Sequence, residues 1–168
     1  MKPSREEAFR AYVVRARPGL VRTATLLTAG DAHLAEDLVQ TTLTRLYLAW
    51  PRIRPENGPD GYARRVLANA LHDERRRPFR RRELALAQLP DPPAAQEDRE
   101  FGPLYAALAG LAPGMRTAVV FRHIYELTVA ETADALRCSE GNVKSQTARG
   151  LDQLRAALSP SVTSRSIP

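Results

Sequence analysis

Three histidines, one cysteine and scattered carboxylates are all that this 168-residue chain offers to catalysis or metal binding. His33, His72 and His123 never stand four residues apart, the spacing that turns two imidazoles toward one ion from a helix face. His72, Asp73 and Glu74 are consecutive, and neighbours on a helix point about 100° apart, so they do not converge. No glycine-rich phosphate loop is present. These residues predict no enzymatic activity, no metal and no cofactor. Recognition chemistry is better supplied. Asn142, Lys144, Ser145, Gln146 and Arg149 combine short polar groups with cations, the types that meet base edges and phosphates. A second cluster, Arg64, Arg65, Arg75, Arg76 and Arg77, continues past Pro78 and Phe79 to Arg80, Arg81 and Arg82, broken only by Asp73, Glu74 and Glu83. Runs this dense are most often solvated tails. Here the run extends an amphipathic helix and includes an aromatic, which suits a track for a nucleic-acid backbone.

Composition points the same way without deciding it. The formal charge is +6 and the pI about 10.1, so a polyanionic partner fits. All of the 25 basic residues except Lys2 and Lys144 are arginine, which with 13 prolines and abundant alanine reads as a coding bias. Placement of the arginines therefore carries more weight than their number. Cys138 stands alone, so no intrachain disulfide forms and nothing points to an oxidising compartment. The N-terminus lacks the apolar stretch of a signal peptide, and no segment reaches the roughly 18 to 20 apolar residues of a membrane helix. The expectation is a basic, cytoplasmic protein without membrane insertion.

Helical periodicity dominates the elements that must position these residues. Phe9, Tyr12 and Val13 mark a helix over 6–16, and Pro18 is expected to end it and open another over 19–28, with Gly30 as its cap. Asp31 can cap a third helix that carries Leu34, Leu38, Leu43, Leu46 and Tyr47 before Trp50-Pro51. Its polar side holds Glu36, Asp37, Gln40 and Arg45, beside an exposed-looking Leu43. A breaker-rich loop over 52–60 precedes a fourth helix over 62–77. Two consecutive prolines, Pro92 and Pro93, small residues and local acidity over 89–99 mark a linker. Further helices are expected over 101–109, 113–125, 129–137 and 141–158. Nothing alternates with a period of two, so the predicted fold is all-α: two small helical domains joined by a Pro-rich linker.

Within the second domain Thr128-Val-Ala-Glu131 has the form of a capping box, and Arg137-Cys138-Ser139 breaks the chain before a second capped helix. Ala133 and Leu136 turn inward from the first helix, and Val143, Leu151, Leu154 and Leu158 from the second. This is a helix-turn-helix, with a polar helix N-terminus able to approach DNA. The same pattern also describes an ordinary amphipathic helix pair with a solvated face.

A resemblance narrows these readings. Ala35-Glu36-Asp37-Leu38-Val39-Gln40 resembles the AEDLVQ signature of region 2 in the extracytoplasmic-function (ECF) sigma factors of bacterial RNA polymerase. Cys138-Ser-Glu-Gly-Asn-Val-Lys-Ser145 is similar to the opening of their region 4 recognition helix, with Gln146 where arginine is usual and Thr147 where leucine is. The stretch from Leu108 to Arg116 resembles that family's LPPRQR turn. Arg22 to Thr28 and Ala49 to Ile53 look like an actinobacterial subgroup. The resemblance spans nearly the whole chain, and its most specific motif is AEDLVQ.

What the resemblance implies is a sigma factor that directs core RNA polymerase to promoters and assists DNA opening. Residues 5–83 would form the region 2-like domain, 84–99 the linker, 100–158 the region 4-like domain and 159–168 a tail. Glu36, Asp37, Gln40 and Leu43 would dock on core polymerase. Asn69 would contact a flipped minus-10 base in a pocket lined by Val66 and Ala70, with Tyr62 stacking and Arg64, Arg65, Arg75 and Arg76 along the backbone. Asn142, Lys144, Ser145, Gln146 and Arg149 would meet the duplex minus-35 element. An anti-sigma factor is a possible further partner. Two other readings remain: a stand-alone helix-turn-helix regulator that binds duplex DNA without polymerase, and a helical interaction module basic only through coding bias.

Overall fold

The computed structural model describes residues 1–54, 58–77 and 102–159. The expected linker over 84–99, Phe79, Arg80, Arg81 and Arg82, and the tail beyond residue 159 lie outside those residues. The fold is all-α, with no strand among the described residues. Helix α1 (Arg5–Leu27) opens on a capping box: the Ser4 hydroxyl accepts from the Glu7 amide at 3.2 Å, and the Glu7 carboxylate accepts from the Ser4 amide at 2.7 Å. It then runs straight through Pro18, where a break was expected. The ring leaves the carbonyl of residue 14 without its usual donor. Val14 is 74% exposed, so water can take that carbonyl, while Tyr12, Leu20, Ala24 and Leu27 keep one continuous buried face.

Two left-handed residues, Ala29 (φ 55°) and Gly30 (φ 88°), turn the chain, and the Gly30 amide reaches back to the Thr25 carbonyl at 2.9 Å. Asp31 caps α2 (Ala32–Ala49), accepting from the Leu34 amide at 3.0 Å. A 3-10 turn (Trp50–Arg52) follows, and α3 (Gly58–Arg75) packs across α2, which in turn packs on α1. Phe9 meets Tyr47 and Trp50 edge-on, with ring centroids at 5.0 and 5.2 Å, and closes the end of this three-helix unit.

The second half comprises α4 (Gly102–Ala109), α5 (Pro113–Val119), α6 (Val129–Leu136) and α7 (Glu140–Leu158). The helical run expected over 113–125 changes register at Val119: Val120–Ile124 form a π turn in which the Tyr125 amide reaches the Val120 carbonyl. Glu126 at φ 55° then reverses the chain. Helix α7 packs on α4, α5 and α6. Its approach to α5 depends on Gly150, where a Cβ would fall 2.6 Å from Val119 Cγ2. Leu158, expected inside, is 45% exposed at the helix end, where the chain has run past its neighbours. A half-buried Arg116 ties α5 to α4 by donating to the carbonyls of Leu108 (2.9 Å) and Leu111 (3.1 Å).

The halves meet directly. Helix α6 lies on α3, the π turn lies on α1, and a single apolar cluster runs from Leu27 and Leu67 through to Phe121 and Tyr125.

Candidate functional site

Three helical faces carry the residues expected to do recognition. On α2, Asp37 and Gln40 are exposed, one turn apart. Glu36 is half-buried and ion-pairs with Arg17 of α1, so α1 orients it. Leu43 departs from its exposed expectation: it is half-buried and packs against the core, because it shares a helix face with Leu46 and Val39. Beside it, Leu34, Asp37, Thr41, Arg45, Asp73 and Arg77 line a cavity of about 170 Å³ between α2 and α3.

On α7 the capping is local and complete. The Ser139 hydroxyl accepts from the Asn142 amide at 3.1 Å, and the Thr128–Glu131 box that starts α6 has both bonds, at 2.8 and 3.1 Å. The turn between them holds Arg137 left-handed (φ 51°), with the Cys138 amide on the Ala133 carbonyl. Cys138 itself is half-buried. Val143, Gly150 and Leu154 face inward, leaving Asn142, Lys144, Ser145 and Arg149 exposed on the outer side. Gln146 is set apart from those four: it is half-buried, with its amide 3.8 Å from where a Gly114 Cβ would sit. Thr147 donates its hydroxyl to the Val143 carbonyl.

The α3 face is built differently. Val66 and Ala70 are buried, Tyr62 and Asn69 half-buried, and Arg65 and Arg76 exposed. Arg64 donates to the Tyr125 carbonyl at 2.8 Å, and Arg75 donates to the Pro113 carbonyl at 3.3 Å. Both acceptors belong to the other half. Asp73 stands between Arg45 of α2 (3.5 Å) and Arg137 of the helix-turn-helix (3.9 Å). These pairs are part-exposed, so each contributes below about 1 kcal/mol.

Titration at this junction follows its burial. Desolvation lowers the His72 pKa, and the cations Arg76 and Arg137 lower it further against an opposing Asp73; its Nε2 is buried without a partner. Burial, then Asp60, pushes the Tyr12 phenol up, and burial pushes the Tyr125 phenol up. Glu131 is held below its ordinary range, first by the Thr128 backbone amide, with the Thr128 hydroxyl and then Arg65 and Arg64 adding to the shift.

Sequence reasoning missed Tyr125 and Arg137 as partners of α3, and took Asp73 for a mere gap in the arginine run. Arg64 and Tyr125 are 61 residues apart, and Arg75 and Pro113 are 38 apart. No local pattern announces pairings at that range. The Ser4–Glu7 capping box was legible and went unread.

Comparison with known proteins gives a consistent pattern. The family model for Sigma-70 region 2 matches residues 12–82, and that for Sigma-70, region 4 matches residues 101–154. The chain is 37% identical to the RNA polymerase sigma-E factor of Streptomyces coelicolor over 153 residues, covering 89% of this chain and 85% of that one. It is 34% identical to the ECF RNA polymerase sigma factor SigE of Mycolicibacterium smegmatis over 162 residues, covering 91% of this chain and 61% of that one. Among solved structures, the sigma factor RpoE crystallised with the anti-sigma factor NepR from Bartonella quintana shares the fold, with a TM-score of 0.67 at 20% identity, covering 90% of this chain and 96% of that one. CnrH, in complex with the cytosolic domain of CnrY, aligns with a TM-score of 0.57 at 23% identity, covering 91% and 88%.

Proposed function

Because the chain belongs to the sigma-70 family of RNA polymerase sigma factors, in its ECF group of actinobacterial type, we propose the following division of labour among its helices. Helix α2 docks on core polymerase through Asp37 and Gln40, with Glu36 oriented by Arg17 and Leu43 stiffening the helix from beneath. Helix α3 takes the opened minus-10 strand. Asn69, Val66 and Ala70 hold a flipped base, Tyr62 stacks, and Arg64, Arg65, Arg75 and Arg76 follow the phosphates. Helix α7 enters the major groove of the minus-35 duplex with Asn142, Lys144, Ser145 and Arg149. Gln146, turned toward Gly114, acts at the edge of that contact.

The observation that carries this reading is the α7 face: capped at Ser139, apolar inside, and presenting two cations and two short polar side chains outside. Chemistry by this chain is binding alone. Affinity divided among one protein site and two DNA sites makes the assembled holoenzyme selective where each contact is weak. The site of action is the cytoplasm, with the polymerase; no helix among the described residues is long and apolar enough to cross a membrane. An anti-sigma protein is the expected regulator, since the similar RpoE was crystallised with the anti-sigma factor NepR.

Co-purification with core RNA polymerase tests the docking face. Asp37→Arg with Gln40→Arg changes two exposed side chains and leaves the packed Leu43 alone. Retention of the wild type and at least a tenfold loss in the variant, at unchanged helical circular dichroism, is the expected result. A wild type that ignores polymerase yet shifts duplex DNA by itself would make the chain a stand-alone helix-turn-helix regulator.

A further inference from the structure

The cavity of about 170 Å³ between α2 and α3 has charged walls over an apolar floor, and Asp37 of the docking helix stands on its lining. Asp37, Thr41 and Arg45 follow one another four residues apart on α2 and so form one wall. Asp73, Glu74 and Arg77 of α3 form the other, and Leu34 and Leu38 supply the floor. Asp73 is already engaged within the chain, by Arg45 at 3.5 Å and Arg137 at 3.9 Å. The Asp37 carboxylate and the Thr41 hydroxyl, in contrast, enter no hydrogen bond or ion pair among the described residues. No three metal-ligating side chains gather among the described residues, so the cavity does not suit a bare ion. What it offers is acceptors on two facing helices, set apart, above apolar carbon. A guanidinium, planar and with donors pointing several ways, matches such a spread, whereas an ammonium is a compact, strongly hydrated point charge. The aliphatic stem of an arginine matches the floor.

We propose that this cavity is a socket for one arginine side chain of core polymerase, with Asp37, Thr41 and Glu74 receiving the guanidinium and Leu34 and Leu38 the stem. The socket rests on the reading of α2 as the docking helix, and it extends that contact onto α3. It also gives Asp73 and Glu74 a place. These two acids adjoin Arg75, Arg76 and Arg77 in the chain, where they would repel a phosphate. Both nevertheless lie on the side of α3 that meets α2. The last turns of α3 therefore divide, with carboxylates toward the protein partner and Arg76 exposed on another side. Of the two guanidiniums on the lining, Arg45 is drawn to Asp73 and Arg77 is exposed at the helix end, which leaves Asp37 and Glu74 as the charge that an incoming cation meets. An ion pair formed in this recess is screened less than one on an open helix face.

Titration of the full-length chain, labelled at its N-terminus, with core RNA polymerase tests the socket by fluorescence anisotropy. Thr41→Arg places the chain's own guanidinium in the recess, and Thr41→Glu adds a carboxylate at the same point. Both replace a β-branched residue with a better helix former, so helix propensity does not separate them. The expected Kd is at least tenfold weaker for Thr41→Arg than for Thr41→Glu, with the latter within threefold of wild type or tighter. That gap should narrow as salt is raised. Glu74→Arg, on the opposite wall, should weaken binding at least tenfold, and Glu74→Gln less. Equal losses from the two Thr41 variants would make the wall a steric contact only, and equal retention would put it outside the interface; either result overturns the socket. So does a weakened Thr41→Glu beside a tightened Thr41→Arg, which marks an anionic occupant. Should Thr41→Arg lose helical circular dichroism, Glu74→Arg decides, and an unchanged Kd there overturns the socket. A wild type that does not bind core, or an Asp37→Arg, Gln40→Arg variant that binds as well as wild type, contradicts the docking reading itself. Loss in that variant beside equal Thr41 variants leaves the docking face standing and removes the socket alone.

Discussion

Helices α3 and α7 carry faces of similar chemistry, arginines among small polar residues, and meet opposite fates. On α7, Asn142, Lys144, Ser145 and Arg149 project away from everything the helix packs on. That face is made within its own half, by the Ser139 cap and by the inward row of Val143, Gly150 and Leu154. On α3, the arginines of the face divide: Arg65 and Arg76 are exposed, while Arg64 and Arg75 hold carbonyls of the other half. Density of charge therefore does not measure availability. A duplex-reading face can be permanently open, because a bare cationic helix gains only salt-sensitive, non-specific contacts from stray DNA. Under the proposed assignment, a strand-reading face that also seats an extruded base needs an apolar floor, for which the buried Val66 and Ala70 are the candidates, and apolar surface in water finds cover.

The sharpest way to break the symmetry is to substitute one glycine in each helix. Gly150→Ala puts a methyl 2.6 Å from Val119 Cγ2 and 3.3 Å from the Met115 carbonyl. Overpacking of this kind costs about 1–3 kcal/mol, so the urea midpoint should fall and duplex affinity with it. Gly61→Ala, in the interior of α3, meets nothing within 4 Å and has no left-handed φ. It should stabilise by up to about 1 kcal/mol. Equal effects from the two would mean that α7 is no more tightly held on α5 than α3 is at its start.

Smaller, and located where the two regions touch, is the capping box of α6. Thr128→Ala removes the hydroxyl that accepts from the Glu131 amide and should cost about 1 kcal/mol of stability. Its carboxylate partner has a depressed pKa, so the box contributes above the ordinary value of 4.5 and is lost as pH falls through the lower, folded value. If α6 covers α3, the variant should also loosen the junction, seen as faster hydrogen exchange of α3 amides. Loosening confined to α6 and α7 would separate the cap from the packing of α6 on α3.

Much of this molecule could be read from local pattern because caps and apolar spacing act within a turn or two. Asp31, Thr128 with Glu131, and Ser139 each start the helix their residue types announce. Failures came where tertiary packing overrode a local rule. Pro18 does not break α1, since a long buried face outweighs one missing hydrogen bond. Leu43 sits against the core because the apolar stripe of α2 is broader than an a/d row. The AEDLVQ stretch and the recognition helix could be found by resemblance. The contacts of the second half with α3 could not, as neither Tyr125 nor Pro113 carries a sequence mark of pairing with an arginine dozens of residues away.

The least effect is expected from His72, and it bears on the same contrast. This imidazole lies on α3 among Arg75, Arg76, Arg137 and Asp73, with Nε2 buried and unpartnered and its pKa lowered, first by desolvation and then by Arg76 and Arg137. In the unfolded chain it titrates near the ordinary 6.5. Between that value and the lower folded one the unfolded state binds more protons, so stability is intact above pH 6.5 and declines as pH falls through the folded pKa. The melting temperature should therefore drop between pH 7.5 and 5.5, and His72→Gln should flatten that slope. Protonation would place a cation beside Arg76 and Arg137. Identical pH slopes in wild type and variant would remove His72 from the junction's energetics.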